Sequence, residues 1–283
     1  MRLLLILLAI FFPVASAAAE SPTIPSKVEN IDLNIKENEM VVTFIGLTSG
    51  EATILQGPDN ETILVNTGRE DTAEELEGWL RLYDVKKVGT LILSSDGSDL
   101  SFSHINDLIT KYQIKKIITT PKLAALVSNQ LNHQNLVPVL TWNEGTTETL
   151  LPELTAEVQF AGSDGKEGLD FVLRFFKHRV FLMSSISDRA QKELFNKNLQ
   201  NINVFKIPNC TKEDSLSKDL IEYLNPQISV LFTPEEEHPD PELLHNLHAT
   251  WSEVYSTKRH GSVTLKFTES KYEVFTIPVE TEE

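Results

Sequence analysis

The chain has 283 residues, of which 41% are hydrophobic, so it is long enough and apolar enough to fold around a packed core. This excludes a disordered chain and fits one large α/β domain or two small domains. With 41 acidic and 25 basic residues, the net charge of −16 repels phosphate backbones at long range and argues against a nucleic-acid partner.

The N-terminus has the three-part pattern of a secretory signal. Arg2 supplies the positive region, residues 3–12 are an unbroken apolar run, and small-x-small cleavage sites end at Ala17 and Ala19. The apolar run is short for a membrane span. We expect residues 1–19 to be a signal peptide and the protein to be secreted or otherwise extracytoplasmic. The alternative is an uncleaved N-terminal anchor, which would be the only route to the membrane.

The rest of the chain is predicted to contain one folded domain with polar ends. Residues 20–39 are polar and lack periodicity, which indicates a linker, and residues 278–283 form a short acidic tail. Residues 40–277 between them are expected to fold. The single cysteine, Cys210, excludes an intramolecular disulfide, so an exported domain of this sequence depends on packing alone.

The first half of the domain begins with short β-rich segments and continues with alternating helices and strands. The predicted strands are residues 41–45, 52–55, 62–65, 90–93 and 116–119, and the predicted helices are residues 71–83, 103–112 and 122–131.

The second half repeats this scheme. Its predicted strands are residues 171–176, 180–183, 204–207, 228–232, 254–255, 262–267 and 272–277, and its predicted helices are residues 188–196, 215–224 and 241–248. Two halves that each begin with strands fit two sheets packed face to face with helices outside. Periodicity alone does not distinguish this arrangement from a single mixed sheet.

Several short segments resemble, in their order along the chain, segments of the metallo-β-lactamase fold. The resemblance is more narrowly to its ComEC type, the hydrolase-like domain of competence proteins. Residues 63–68, Ile-Leu-Val-Asn-Thr-Gly, are similar to a family hairpin that usually ends Ile-Asp-Thr-Gly, so Asn66 replaces its aspartate. Residues 206–208, Lys-Ile-Pro, resemble the family's Lys-Val-Pro. The resemblance extends from about Val41 to Ile277 and implies an αββα four-layer sandwich with two mixed sheets.

The family's metal loop, Thr-His-x-His-x-Asp-His, is largely replaced here. Ser95 and Gly97 stand at the first two histidine positions, Asp99 is retained, and Leu100 stands at the last histidine. Histidines and carboxylates of this loop hold zinc in the family, and an apolar leucine cannot ligate a metal.

The ligand positions of the second half are also changed. Ser185 aligns with the aspartate that bridges two metals, Asn209 and Cys210 align with a histidine pair, and His238 stands where a family histidine would. Asp99 and His238 are therefore the candidate metal ligands that remain at family positions. Asp99 also fits a turn or N-cap residue, and His238 a surface residue. Because a stable zinc site needs three or four protein ligands, we expect no cofactor.

Two hypotheses of different classes remain. In the first, the chain is a non-catalytic protein that binds an extracytoplasmic protein or a small ligand at a pocket formed by Ser95, Gly97, Asp99, Leu100, Ser185, Asn209 and His238. In the alternative, it is a zinc-dependent phosphodiester or ester hydrolase with a reorganised site. A competence accessory that contacts DNA is a third interpretation, and the acidic balance argues against it.

Export should remove the N-terminus after Ala17 or Ala19. Cleavage removes Arg2 and no acidic residue, so the net charge of −16 less one positive charge becomes −17. N-terminal sequencing of the extracytoplasmic protein distinguishes the two cleavage sites, whereas an intact Met1 in a membrane fraction would favour the anchor.

Overall fold

The computed structural model describes residues 30–132, 137–208, 215–232 and 239–279. The predicted signal peptide, Asn209, Cys210 and His238 lie outside the described residues. Within those four segments, no helix is long and apolar enough to cross a membrane.

Two sheets contain all fifteen strands of the described segments. Strands of the first sheet are β1 (Met40–Phe44), β2 (Thr53–Gln56), β3 (Thr62–Val65), β4 (Thr90–Leu93), β5 (Lys116–Thr119), β6 (Val139–Thr141), β14 (Ser262–Phe267) and β15 (Tyr272–Ile277). Strands of the second sheet are β7 (Thr147–Leu151), β8 (Leu154–Ala161), β9 (Leu169–Phe175), β10 (His178–Leu182), β11 (Val204–Ile207), β12 (Ile228–Leu231) and β13 (Glu253–Ser256).

Each sheet is mixed. The first has the order β15-β14-β1-β2-β3-β4-β5-β6, and its strands are parallel from β3 to β6. The second has the order β13-β12-β11-β10-β9-β8-β7, and its strands are parallel from β10 to β13. The remaining neighbours in both sheets are antiparallel.

In the described segments, six helices connect parallel strands and lie outside the sheets, and a short seventh helix lies between the last strand of the second sheet and the return of the chain to the first. They are α1 (Ala73–Leu82), α2 (Phe102–Tyr112), α3 (Pro121–Gln130), α4 (Asp188–Leu194), α5 (Lys218–Leu224), α6 (Pro241–Ala249) and α7 (Thr257–His260). Four of them begin at a hydroxyl side chain that accepts a backbone N–H of the first turn, as helix N-caps do. These caps are Ser101, Thr120, Ser187 and Ser217.

Alternating side chains place each sheet between two apolar layers. In β3, Ile63 and Val65 face the opposite sheet, whereas Leu64 faces the helices. The central layer contains residues of both sheets, including Trp142 and Phe171, whose ring centroids are 5.6 Å apart. Two outer layers join the first sheet to α1–α3 and the second sheet to α4–α6. The predicted αββα sandwich is confirmed.

Strands β6, β7 and β8 were not predicted from the sequence. The first is only three residues long, and β7 is largely exposed, so neither has a strong apolar signal. In β8, however, Leu154, Ala156, Val158 and Phe160 alternate as buried residues, which is the period expected of a half-buried strand. Helix α5 begins at Lys218, and the predicted start at residue 215 was therefore early.

The described part of the predicted linker, residues 30–39, contains no helix or strand but contacts the domain. The Ile31 amide donates a hydrogen bond to the Leu82 carbonyl at 2.7 Å. Lys266 Nζ donates to the carbonyls of Leu33 and Asn34 and pairs with Glu39 at 2.9 Å. These bonds hold the segment against the first sheet.

Truncation of Phe171 tests the packing of the two sheets. Phe171→Ala should lower the free energy of unfolding by about 3–5 kcal/mol, because it removes a fully buried ring from between the sheets. Urea denaturation measures the change. Phe275→Ala is the control, since this phenylalanine on edge strand β15 is 37% exposed. Its loss should change the stability much less, and equal effects would contradict the assigned core.

Candidate functional site

A cavity of about 210 Å³ opens where parallel strands of both sheets end. Asn66 follows β3, Ser95 lies just beyond β4, Ser184 follows β10, and Phe232 follows β12. Lys206, near the end of β11, completes this set. Loops that follow the carboxyl ends of parallel strands are a common place for ligand sites, because side chains from separate strands converge there.

An ion pair between Lys206 and Glu51, which both line the cavity, joins the two sheets. The Lys206 side chain is only 4% exposed, and its ammonium pairs with the Glu51 carboxylate. Lys206 Nζ also donates to the Met183 carbonyl at 3.0 Å and lies 5.7 Å from the centroid of the Phe232 ring. A buried ammonium is stabilised only when such partners compensate for its lost hydration.

Asn66 connects this ion pair to the loop after β4. Its Nδ2 donates to Glu51 Oε1 at 2.6 Å and to Ser94 Oγ at 2.9 Å. Its Oδ1 accepts the backbone N–H groups of Ser94 and Ser95, at 2.8 and 3.4 Å. The nitrogen and the oxygen of the Asn66 side-chain amide are therefore both hydrogen-bonded. An aspartate here could not donate to Glu51 and would place two carboxylates side by side.

Ser94 and Gly168 bring the two sheets into direct contact behind the cavity. Ser94 Oγ lies 3.0 Å from Ser184 Oγ, and the Leu169 amide donates to the Ser94 carbonyl at 2.8 Å. A Cβ atom on Gly168 would lie 2.0 Å from that carbonyl oxygen, so any larger residue would force the sheets apart.

Asp170 is a fully buried carboxyl beside this cavity wall. Its Oδ1 accepts the backbone N–H groups of Ser184 and Ser185, at 2.6 and 2.9 Å, whereas its Oδ2 has no hydrogen-bond partner in the described segments. Burial raises the pKa of Asp170 to about 6, and the hydrogen bonds from Ser184 and Ser185 and the charge of Lys206 limit the rise.

Carboxylates at the rim are engaged by neighbouring donors. Asp96 accepts the backbone N–H and hydroxyl of Ser98 and the backbone N–H of Lys166. Burial alone would raise the pKa of Asp96, but these hydrogen bonds and the charge of Lys122 lower it below its ordinary value. Asp99 Oδ1 lies 3.5 Å from Arg69 Nη1 in a half-exposed ion pair.

The structure brings three of the sequence-predicted site residues into the cavity lining: Ser95, Asp99 and Leu100. Gly97 lies in the same loop but outside the lining. Its φ is +96°, and a Cβ there would lie 2.6 Å from Leu123 Cδ2, so its role in the fold is to turn the loop. Ser185 is completely buried, and its hydroxyl accepts the Gly168 amide at 2.9 Å. Asn209 and His238 lie outside the described residues.

Sequence reasoning missed Glu51, Lys206 and Asp170. Lys206 had a recognisable signal, because a lysine in the apolar strand Val-Phe-Lys-Ile has to find a buried partner. Asp170 is the second residue of the apolar strand β9 and carried a similar signal. Glu51 precedes β2 in a polar loop, and nothing in its sequence context predicts that it meets Lys206.

The fold of this chain is similar to that of several solved structures. Similar structures include the metallo-β-lactamase fold protein YhfI from Bacillus subtilis, with a TM-score of 0.58, 14% identity and coverage of 81% of this chain and 100% of that chain. Zn²⁺-bound PqqB from Methylobacterium extorquens has a TM-score of 0.54, 10% identity and coverage of 80% and 99%. The short form of human tRNase Z has a TM-score of 0.50, 12% identity and coverage of 84% and 100%.

The chain has the metallo-β-lactamase fold. No protein-family model and no curated protein sequence matches it.

The described lining does not fit the zinc site that the metallo-β-lactamase fold implies. Across residues 30–132, 137–208, 215–232 and 239–279, no group of three or more His, Cys, Asp or Glu side chains is placed to hold a metal ion. Asp99 is paired with Arg69, and Glu51 is paired with Lys206. An ammonium in the cavity wall also opposes a second cation by direct repulsion.

Asp170→Asn should change how stability depends on pH. Since the folded-state pKa of about 6 exceeds the ordinary value of 3.8, the contribution of Asp170 is full at low pH and lost as pH rises to about 6. One pKa unit corresponds to about 1.4 kcal/mol, so the loss is about 3 kcal/mol. Asparagine can accept both N–H groups at Oδ1 but does not titrate.

The stability of Asp170→Asn relative to the parent protein should therefore rise between pH 4 and pH 7. Urea unfolding of both proteins at four pH values across this interval measures the difference. A difference that is constant with pH would show that Asp170 does not titrate in this window.

Proposed function

We propose that this chain is an exported, non-catalytic binding protein that uses the cavity of a metallo-β-lactamase fold. The observation that carries the proposal is the pairing of Lys206 with Glu51 in the cavity, together with Leu100 at a ligand position of the family loop. The Lys206 side chain supplies the positive charge at this site. The apolar side chain of Leu100 stands where the family loop has a histidine.

A chain that binds no metal would lack the family's source of a nucleophile. A zinc-bound water has a pKa near 7, whereas free water has a pKa of about 15.7 and supplies almost no hydroxide at neutral pH. Asp99 and His238 could act only as a metal-free acid–base pair, which typically contributes about 10²–10⁴-fold. Binding therefore accounts for the site better than hydrolysis does.

The same proposal includes two more specific claims: the protein is exported, and it is related to the ComEC type of the fold. The N-terminal pattern of residues 1–19 supports an extracytoplasmic location, with an uncleaved anchor as the alternative. Residues 63–68 and 206–208 support the ComEC-type relationship. The partner is an extracytoplasmic protein or a small ligand, and the net charge of −16 argues against nucleic acid.

Elemental analysis of protein purified without chelator tests the non-catalytic proposal. We expect far less than one zinc per chain and no hydrolysis of β-lactams or phosphodiesters, because too few ligands remain to displace the waters of the metal ion. Asp99→Ala and His238→Ala are the matched variants. Close to one zinc per chain, lost in either variant, would establish the alternative, a metal-dependent hydrolase with a reorganised site.

A further inference from the structure

Lys206 has hydrogen-bonding capacity that the described protein does not use. An ammonium carries three N–H donors. The Met183 carbonyl accepts one and the Glu51 carboxylate forms the ion pair, and no third acceptor exists in the described parts of the chain. Because the side chain is only 4% exposed and lines the cavity, the donor that the described residues leave over is available to a water or to a ligand oxygen.

Most other uncommitted groups of the lining are hydroxyls. Ser95 forms no side-chain hydrogen bond with the described residues, and the buried Thr67 hydroxyl has no partner there. The carboxylates are in the opposite situation, since Glu51 is held by Lys206 and Asn66 and Asp96 by Ser98 and Lys166. A ligand that brings acceptor oxygens fits this set better than a cation does.

Apolar side chains form the other walls. Leu100, Ile186 and the nearly buried Phe232 line the same cavity, and the Phe232 ring centroid lies 5.7 Å from Lys206 Nζ, so a ligand held by Lys206 also meets carbon atoms. Three lining carboxylates, Glu51, Asp96 and Asp99, would repel a dianion such as phosphate. A ligand with a single negative charge on an apolar body meets half of the repulsion that a dianion meets, and Lys206 can hold that charge.

We propose that the cavity binds a small monocarboxylate, with its carboxylate on Lys206 Nζ and its apolar body against Leu100, Ile186 and Phe232. This inference rests on the proposed binding function of the cavity and adds the class of ligand. Charge-assisted hydrogen bonds are about twice as strong as neutral ones, so the ammonium should discriminate a carboxylate from an uncharged oxygen of the same shape.

Isothermal titration calorimetry with two isosteric probes, 3-methylbutanoate and 3-methylbutanamide, tests the proposal on the full mature chain. The carboxylate should bind at least about tenfold more tightly than the amide. Lys206→Met should remove this preference, and Lys177→Met, an exposed lysine in the turn between β9 and β10, should leave it unchanged. Equal binding of the two probes, or an unchanged preference in Lys206→Met, would overturn the proposal.

A second variant covers the case in which Lys206→Met does not fold. Leu100→Trp fills the cavity without touching the ion pair and should abolish binding of 3-methylbutanoate while the protein stays folded by circular dichroism. Binding that survives in this variant would place the ligand elsewhere and overturn the proposal.

The zinc content of the same samples distinguishes failure of the proposed ligand class from failure of the proposed non-catalytic function. Metal-free protein that binds neither probe overturns the ligand class and leaves the non-catalytic function standing. Stoichiometric zinc overturns the proposed function itself.

Discussion

The buried charge of Lys206 constrains the rest of the cavity. Its ammonium lies in the second sheet and the Glu51 carboxylate comes from the loop before β2 of the first sheet, so their pairing fixes the distance between the sheets at the cavity. Moving an ammonium out of water costs several kcal/mol, and loss of one partner of a buried pair typically costs about 3–5 kcal/mol. Neither residue can be changed alone without leaving a buried charge unpaired.

This constraint explains why residue 66 is an asparagine. The Asn66 amide donates to one Glu51 oxygen at 2.6 Å while the other Glu51 oxygen pairs with Lys206, so residue 66 has to supply a donor there. The positive charge beside Glu51 and Asn66 in the described structure is the Lys206 ammonium, so Glu51, Asn66 and Lys206 form one interdependent set.

The fold could be predicted from the sequence to a greater depth than the site. Strands such as β4 and β11 are short apolar runs with clear boundaries, and their predicted ends agree with the structure at residues 90–93 and 204–207. Local patterns of this kind depend on neighbouring residues only. Strand β8 had the same kind of signal and was missed, whereas β6 and β7 are too short or too exposed to have one.

The site depends instead on contacts between residues far apart in the chain. Glu51 and Lys206 are separated by more than half of the sequence, and nothing local in either segment indicates that they meet. Residues located by the family motif, Ser95, Asp99 and Leu100, do line the cavity. Motif alignment could place these positions but could not identify the groups that now occupy the centre of the site.

Strand direction places the entry of the chain and the cavity at opposite ends of the sandwich. In the register of β1 with β2, Val41 lies opposite Gln56 and Phe44 opposite Thr53, so β1 runs from the Gln56 end toward the Glu51 end. Residues 30–35 lie against Gln56, Asp59 and Tyr83, at the end away from Lys206. An attachment through residues before Asn30 would therefore leave the cavity facing away from the attachment point. The proposed binding at Lys206 is therefore compatible with both forms of the predicted N-terminal signal, retained as an anchor or cleaved.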